Sequence, residues 1–439
     1  MSLFFNKNQI ITRIEDKWYD LTDFYKEHPG GYLPLALVNG RDGTGLFKLH
    51  HPFTSKNLLE NYLKKYECRT DPEILEKKYN MQKECEYDYF ESDFEIELKK
   101  EVKEHLIKYF QIDYNKKING IQLLNYKCKA SNIRLIQLAL LGIITLINLI
   151  FYLKGYFFSL ITFPFFLWIY GVGFWHDASH FALFINNYLN LLTMYSLPIV
   201  SSPSSWFHEH IIGHHVYTNI ETKDPDLYHN PKYLRLSRLI NWKITHKNQL
   251  YNLPLIWSFG ITLGINLFAD FFSIIKNRYH RVVPLIDINN INIYTHLFGR
   301  FIYILILFYP FYHFGLIKGI FFSLIPQIIF SLLFMFSTQI NHLMKNNFQQ
   351  RKNIYEHQVL TSNDISTNNI FLFFLTGGLN LQIEHHLFPS INSWHLLQIK
   401  DVVKKVCLKY NLEYKEYPNI WSALKEHFAY VKYMSLKQD

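Results

Sequence analysis

Seven histidines stand in three short groups: His176 and His180 in the run H-D-A-S-H, His210, His214 and His215 in H-I-I-G-H-H, and His385 and His386 in Q-I-E-H-H, which begins at Gln382. Imidazole nitrogen suits iron, zinc and copper. On a helix, residues four apart share a face, so each group can aim two ligands at one ion. A single zinc site uses only three or four protein ligands, so seven imidazoles are enough for two metal ions. Histidine is common in this chain, 21 in all, but three groups with ligand spacing are more than scatter produces. Long charge-free stretches lie beside the groups, so the elements that must position them are apolar helices.

The chain has 439 residues, 49% hydrophobic, 18% aromatic and 18% charged, with a mean hydropathy of −0.04. That mean hides a mosaic of polar and very apolar segments. Net charge is +9 and the isoelectric point about 9.0. A nucleic-acid binder clusters its basic residues with reading motifs; here Lys and Arg are spread and flank apolar runs, which suits a membrane partner and no nucleic acid. Four cysteines, Cys68, Cys85, Cys128 and Cys407, have no CxxC or framework spacing and read as free thiols in a reducing compartment. The first residues hold no apolar region of signal-peptide length and the last no retrieval or prenylation motif, so membrane targeting is expected from internal helices.

Residues 9–75 are polar with scattered aromatics and are expected to form a small soluble domain. A connector over 76–130 is rich in Lys, Glu and Tyr. In it Phe94, Leu98, Val102 and Leu106 recur at helical spacing. That amphipathic helix could lie on a membrane or pack on a domain. Leu135–Leu153 and Gly155–Trp175 carry no charge, and each is long enough to cross ~30 Å of hydrocarbon. Only Lys154 separates them, which predicts a hairpin. Lys127, Lys129 and Arg134 precede the first span and place that end in the cytosol. His180 and His210 are too close in sequence for two spans between them, so 181–200 is read as interfacial or buried. Pro254–Ala269, Phe301–Ile317 and Gly319–Ile340 are further apolar candidates. An even number of crossings must separate the second and third histidine groups. Pro254–Ala269, which is short, holds Gly260, Gly264 and Asn266, and runs into Asp270, is set aside. Four transmembrane helices in two hairpins follow, within a membrane domain over 131–415 and ahead of a C-terminal tail over 416–439.

The segment K-W-Y-D-L-T-D-F-Y-K-E-H-P-G-G, Lys17 to Gly31, resembles the cytochrome b5 signature, with its H-P-G-G loop at His28. In that family two histidines from opposite sides ligate one haem iron. The usual D-A-T-x-x-F element is matched by Asp42-Gly-Thr44-Gly-Leu-Phe47, with Gly43 in place of the alanine. The resemblance implies haem b held by His28 and His51, with His50 the lesser candidate. Such an iron has no open site and suits electron transfer.

The three histidine groups resemble the boxes of membrane fatty-acid desaturases. Gln382 as the first residue of the third box, with the N-terminal cytochrome b5 resemblance, points to the front-end members. Flanking residues continue the match: Tyr217-Thr-Asn219 and Asp224-Pro-Asp226 after the second box, Gly377-Gly-Leu-Asn380 and Leu387-Phe-Pro389 around the third. The resemblance implies two non-haem iron ions held by His176, His180, His210, His214, His215, His385 and His386. It adds His342, a histidine outside the boxes at the cytosolic end of the last span. Gln382 is carried as a ligand through its oxygen, a water holder or an outer partner. Asp177, Asp224, Asp226 and Glu384 are candidates to orient the rings, while His208, His229, His357 and His395 have no matching role. The chemistry agrees: taking hydrogens from an unactivated methylene needs an oxidant that side-chain acids and bases do not supply, so a cofactor carries it. Paired E-x-x-H motifs of the soluble di-iron bundles are missing.

The expected fold is α+β: a small haem domain followed by an all-α membrane domain with a cytosolic di-iron cap. The expected function is front-end desaturation of a long, polyunsaturated acyl chain, carried by CoA or a phospholipid. O2 is the oxidant and NADH-cytochrome b5 reductase the electron source. The enzyme is expected in the endoplasmic reticulum membrane with both termini cytosolic. The form G-H-H-V-Y-T-N with Asp-Pro-Asp leans toward delta-5 over delta-6. Rivals are a sphingoid-base delta-8 desaturase, a cytochrome b5-fused fatty-acid hydroxylase, whose third box would read HxxHH, and a non-enzymatic haem or metal carrier.

Overall fold

The computed structural model describes residues 9–81, 86–88, 90–113, 120–196, 202–262, 279–280, 282–285 and 290–437. In the N-terminal lobe, strands Ile11–Ile14 and Lys17–Asp20 pair antiparallel with Ile11 opposite Asp20. Helices Tyr32–Leu37, Thr44–His50 and Lys56–Leu63 follow. Ile10, Ile14, Tyr19, Leu21 and Leu35 form its small core. The H-P-G-G turn is closed by the Gly31 amide, which donates to the His28 carbonyl at 2.8 Å. Gly31 sits at φ 71°, in the region where a side chain is strained.

The connector helix spans Asp93–Tyr109, with Ser92 accepting from the Glu95 amide at its start. Phe94, Leu98, Val102 and Leu106 are all buried. They face the helix Ser393–Lys409, with the Phe94 and Tyr410 rings 5.8 Å apart and Lys409 paired to Glu97. Of the two alternatives for this helix, packing on a domain is the one observed.

Among the described residues, three helices are long and apolar enough to cross a membrane: Ile121–Leu153, Ser159–Ser179 and Asn292–Gln339. They leave apolar side chains such as Ile133, Ile136, Leu146, Phe157 and Ile161 exposed, as lipid contact requires. The third run has 48 residues. At 1.5 Å per residue a straight helix of that length would reach about 72 Å, more than twice a hydrocarbon core of ~30 Å. It does not run straight. Gly315 has φ 75° and ψ 179°, a backbone state reserved for glycine. Either side of it the chain folds back: Ser323 donates to the Leu307 carbonyl at 2.8 Å, and Tyr303 donates to Gln327 at 2.9 Å. Both pairs are centred on residue 315. The turn at Gly155 meets this one, since a Cβ on Gly155 would lie 2.7 Å from Lys318 Nζ. Both hairpin turns therefore stand at the same end of the bundle.

The region read as interfacial or buried contains the helix Asn187–Ser196, which buries Asn190, Leu191 and Met194 and exposes Leu189 and Leu192. Of the segment set aside as a span, residues 254–259 belong to the helix Gln249–Phe259, and residues 263–269 lie outside the described residues. The stretch expected as a C-terminal tail is packed in. Glu416–Tyr417 pairs with Asp364–Ile365, and the helix Ile420–Ser435 buries Tyr430, Val431 and Met434.

Candidate metal centre

Two of the histidine groups ride on widened helical turns. Val172–His176 and Phe207–His214 are π-helical, a geometry that recurs at functional sites because it redirects side chains. Nothing in the sequence signals it. One physical consequence is a correction. His210 and His214 were expected to aim at one ion, and they part company. His176, His180, His210 and His385 have ligand nitrogens all within 4.8 Å of one another. His214, His342 and His386 form a second such set. His215 lies between them, its ring 4.2 Å from His386 and 4.4 Å from His180.

Around His210 of the first set three nitrogens converge on one atom. His176, His180 and His215 Nε2 lie 3.1, 3.0 and 3.3 Å from His210 Nε2. One nitrogen cannot satisfy three such partners. For metal bonds of about 2.0–2.1 Å the edge of a ligand tetrahedron is about 3.3–3.4 Å, so this crowding is what nitrogens around a common ion look like. The Nδ1 atoms of His176, His180 and His215 and the Nε2 atoms of His385 and His386 are buried without hydrogen bonds. In the second set each outer nitrogen is held. His342 Nδ1 faces the Thr361 carbonyl at 3.1 Å, His386 Nδ1 faces Gln358 Oε1 at 2.9 Å, and His214 Nδ1 lies 3.3 Å from both Asp224 oxygens. Such outer bonds fix the tautomer and leave Nε2 as the nitrogen that can face a metal.

Burial, followed by the neighbouring imidazoles, holds His180, His210, His215, His385 and His386 well below the usual histidine range. Neutral imidazole is the ligating form. His214 moves the other way, up to about 9: burial opposes, but Asp226 and Asp224 outweigh it. Gln382 is 3% exposed, and its Nε2 lies 2.8 Å from His342 Nε2.

Of the four carboxylates expected to orient rings, Asp224 and Asp226 reach His214, at 3.3 and 3.7 Å. The other two need correcting. Asp177 accepts from Asn392 and Ser393 at 2.8 and 2.9 Å, while His176 Nδ1 is 3.9 Å away. Glu384 faces Asp364 and Tyr414, whose hydroxyl donates to both; burial, then Asp364, pushes its carboxyl up. Helix geometry points Glu384 away from the imidazoles that follow it. His208, His357 and His395 bond backbone carbonyls, and His229 stands near Glu209 and Asp226. Sequence reasoning missed Gln358 and Thr218, which touch His386, and Asn219, whose amide binds the His342 and Asn347 carbonyls. The Tyr217-Thr-Asn219 run was a signal for two of these; Gln358 had none.

A cavity joins both sets to the membrane helices. Trp168, Val172, Phe330 and Phe334 line its apolar end, and His176, His210, His214, His342 and Gln382 its inner wall. In the N-terminal lobe the His28 and His51 rings face each other with centroids 6.1 Å apart, room for one ion between two bonds of about 2 Å. Their Nδ1 atoms are held by the Gly31 and Phe47 carbonyls.

An apolar slot ending in two imidazole clusters, beside a lobe with facing histidines, defines a membrane-bound oxidoreductase with an attached electron-carrier domain. The chain belongs to the fatty acid desaturase family, matched over residues 151–418, and residues 2–70 match the cytochrome b5-like haem/steroid binding domain. It is an enzyme that oxidises fatty acyl chains. Among its relatives, a probable Delta(5) fatty acid desaturase C of Dictyostelium discoideum is 28% identical over 97% of this chain and 92% of its own length. An acyl-lipid (8-3)-desaturase B of the same organism is 26% identical over 99% and 92%. A Delta(8)-fatty-acid desaturase 2 of Arabidopsis thaliana is 25% identical over 93% and 87%. No solved structure matches the chain.

Proposed function

We propose that the enzyme is a front-end desaturase that inserts a cis double bond between an existing one and the carboxyl end of a long acyl chain, at the delta-5 position in preference to delta-6. The carrying observation is the cavity that runs from apolar membrane helices to both histidine sets. The first relatives, named as Delta(5) and (8-3) desaturases, support the regiochemistry. His176, His180, His210 and His385 would hold one iron and His214, His342 and His386 the other, with His215 between. His28 and His51 would hold haem b. Two bound irons supply the power to activate O2 against an unactivated C–H bond.

The chain's own residues do the rest. Trp168, Val172, Phe330 and Phe334 hold the acyl chain by burial of its methylenes, at about 0.8 kcal/mol each. Asp224, Gln358 and the Thr361 carbonyl keep three rings in the ligating tautomer. Gln382 lines the cavity beside His342 and adjusts the site rather than building it. The balance closes with two hydrogen atoms, that is two electrons with two protons, from the acyl chain, two electrons through the N-terminal lobe, two protons from solvent, and O2 leaving as two waters.

The hairpin centred on Gly315 supports a reading with four crossings, the turns at Gly155 and Gly315 on the lumenal side, and both termini in the cytosol. A haem domain over 9–75, a connector over 76–130, a desaturase domain over 131–415 and a C-terminal segment over 416–439 complete it. Endoplasmic reticulum residence, NADH-cytochrome b5 reductase as electron source, and CoA or phospholipid as acyl carrier belong to the same proposal. Expression in yeast fed candidate fatty acids, with the double-bond position read by mass spectrometry, tests it. A delta-6, delta-8 or hydroxylated product would replace the delta-5 reading.

A further inference from the structure

The helix Thr44–His50, which leads into the haem cleft, is also the helix that touches the metal-bearing domain. A Cβ on Gly45 would stand 2.5 Å from Val216 Cγ1 and 3.2 Å from Ile354 Cδ1. Val216 directly follows His215. Around this contact the Tyr355 hydroxyl donates to the Lys48 carbonyl at 3.0 Å, and Lys48 Nζ donates to the Asp88 carbonyl at 3.0 Å. The Phe53 and Phe388 rings stack with centroids 5.9 Å apart, two residues beyond His386. Leu46, Leu49 and Phe53 are buried in one apolar cluster with Val216, Ile354 and Phe388. Linked domains usually meet through looser, more polar surfaces. This contact has the interlocking of an interior, where a glycine is needed for close approach.

At the end of the helix, neighbouring histidines differ in their surroundings. His51 faces His28 across the haem cleft. His50 anchors Nδ1 on the Leu46 carbonyl at 3.1 Å and buries Nε2 with no hydrogen bond. One helix thus carries the contact with Val216, beside His215, and ends at His51, the haem-cleft histidine.

We propose that the haem lobe transfers electrons while docked as seen, with the helix Thr44–His50 spanning the short path from His51 in the haem cleft to Val216 beside His215. This rests on the functional reading above. In each transfer the reduced haem iron loses one electron and the metal centre gains it; no bond in the chain is made or broken. The reductase reloads the haem from its solvent side, where His28 is only partly buried.

Gly45→Cys with Val216→Cys tests the docking. The Gly45 Cβ position lies 3.6 Å from Val216 Cβ, inside the disulfide range of about 3.5–4.5 Å. The purified full chain in nanodiscs is oxidised with diamide, and the new link is identified by peptide mass. The haem is then reduced without oxygen, mixed with O2 and acyl substrate, and followed at its Soret band. The expected result is a link in most molecules and a haem that reoxidises as fast linked as unlinked. A link that fails to form between reactive thiols, or one that slows reoxidation tenfold or more, overturns docked transfer. If wild-type protein holds no haem or no iron, the functional reading fails instead, and the cross-link still reports the docking.

Discussion

Asp224 offers the sharpest test of how the metal centre is held. It is fully buried, and each carboxylate oxygen has two tasks. Oδ2 accepts from the Asn219 amide at 2.8 Å and Oδ1 from the Asp226 amide at 3.0 Å, while both lie 3.3 Å from His214 Nδ1. Asp224→Asn keeps the shape but leaves one acceptor oxygen where two are used. Whichever way the amide turns, its NH2 meets a backbone N–H. One donor goes unsatisfied, at about 1–3 kcal/mol of stability. Loss of the charge beside His214 weakens iron at the second set by roughly 10–100-fold, or about 1.4–2.7 kcal/mol. Asp224→Ala strips both donors, so its melting temperature should fall further while its iron affinity falls by a similar factor. The assay is iron per chain against a buffered free-iron series, beside thermal unfolding of the same preparations. Asp224→Asn protein that holds iron within about threefold of wild type would refute the role given to this carboxylate.

Gln382→Ala should lose most product yet keep much of its iron, since its amide nitrogen faces His342 Nε2 at 2.8 Å and an amide is a weaker donor to iron than imidazole; wild-type product yield would make Gln382 a bystander. His28→Ala and His51→Ala should each abolish the low-spin haem spectrum of the full chain, and His50→Ala should keep it; loss in His50→Ala alone would move the ligand by one residue. Gly315→Ala should lower stability by about 1–3 kcal/mol through backbone strain alone, because no atom lies within 4 Å of the added methyl. Unchanged thermal inactivation would argue against the turn there. Glycosylation tags at 154 and 318 should be modified in the lumen and tags after 130 and 345 should not; any other pattern breaks the paired-hairpin topology. Chelation of iron should abolish desaturation and leave the protein in the membrane, because the apolar helices need no metal to insert; release from the membrane would contradict that division of labour.

The sequence alone determined what is local. Charge-free runs of membrane length mark the spans, because hydrocarbon excludes charge whatever the fold. The four apolar residues of the connector marked a buried face, because helical periodicity fixes which side chains share a side. H-P-G-G marked a tight turn bearing a histidine, and glycine at φ 71° is the reason. Tertiary structure decided what is relational. Spacing could group His210 with His214, but the π-helical turn Phe207–His214 sends one to His176 and the other to His342. Adjacency suggested Asp177 and Glu384 as partners of their neighbouring rings, yet helix direction turned both away, toward Asn392 and Tyr414. Gln358, with no motif around it, reached His386 from a separate helix. The closeness of Gly45 to Val216, 171 positions apart in a chain numbered through both, had no trace in local pattern. Periodicity and composition report a residue's own element, whereas contacts between distant elements depend on how whole surfaces pack, and only the folded chain contains that information.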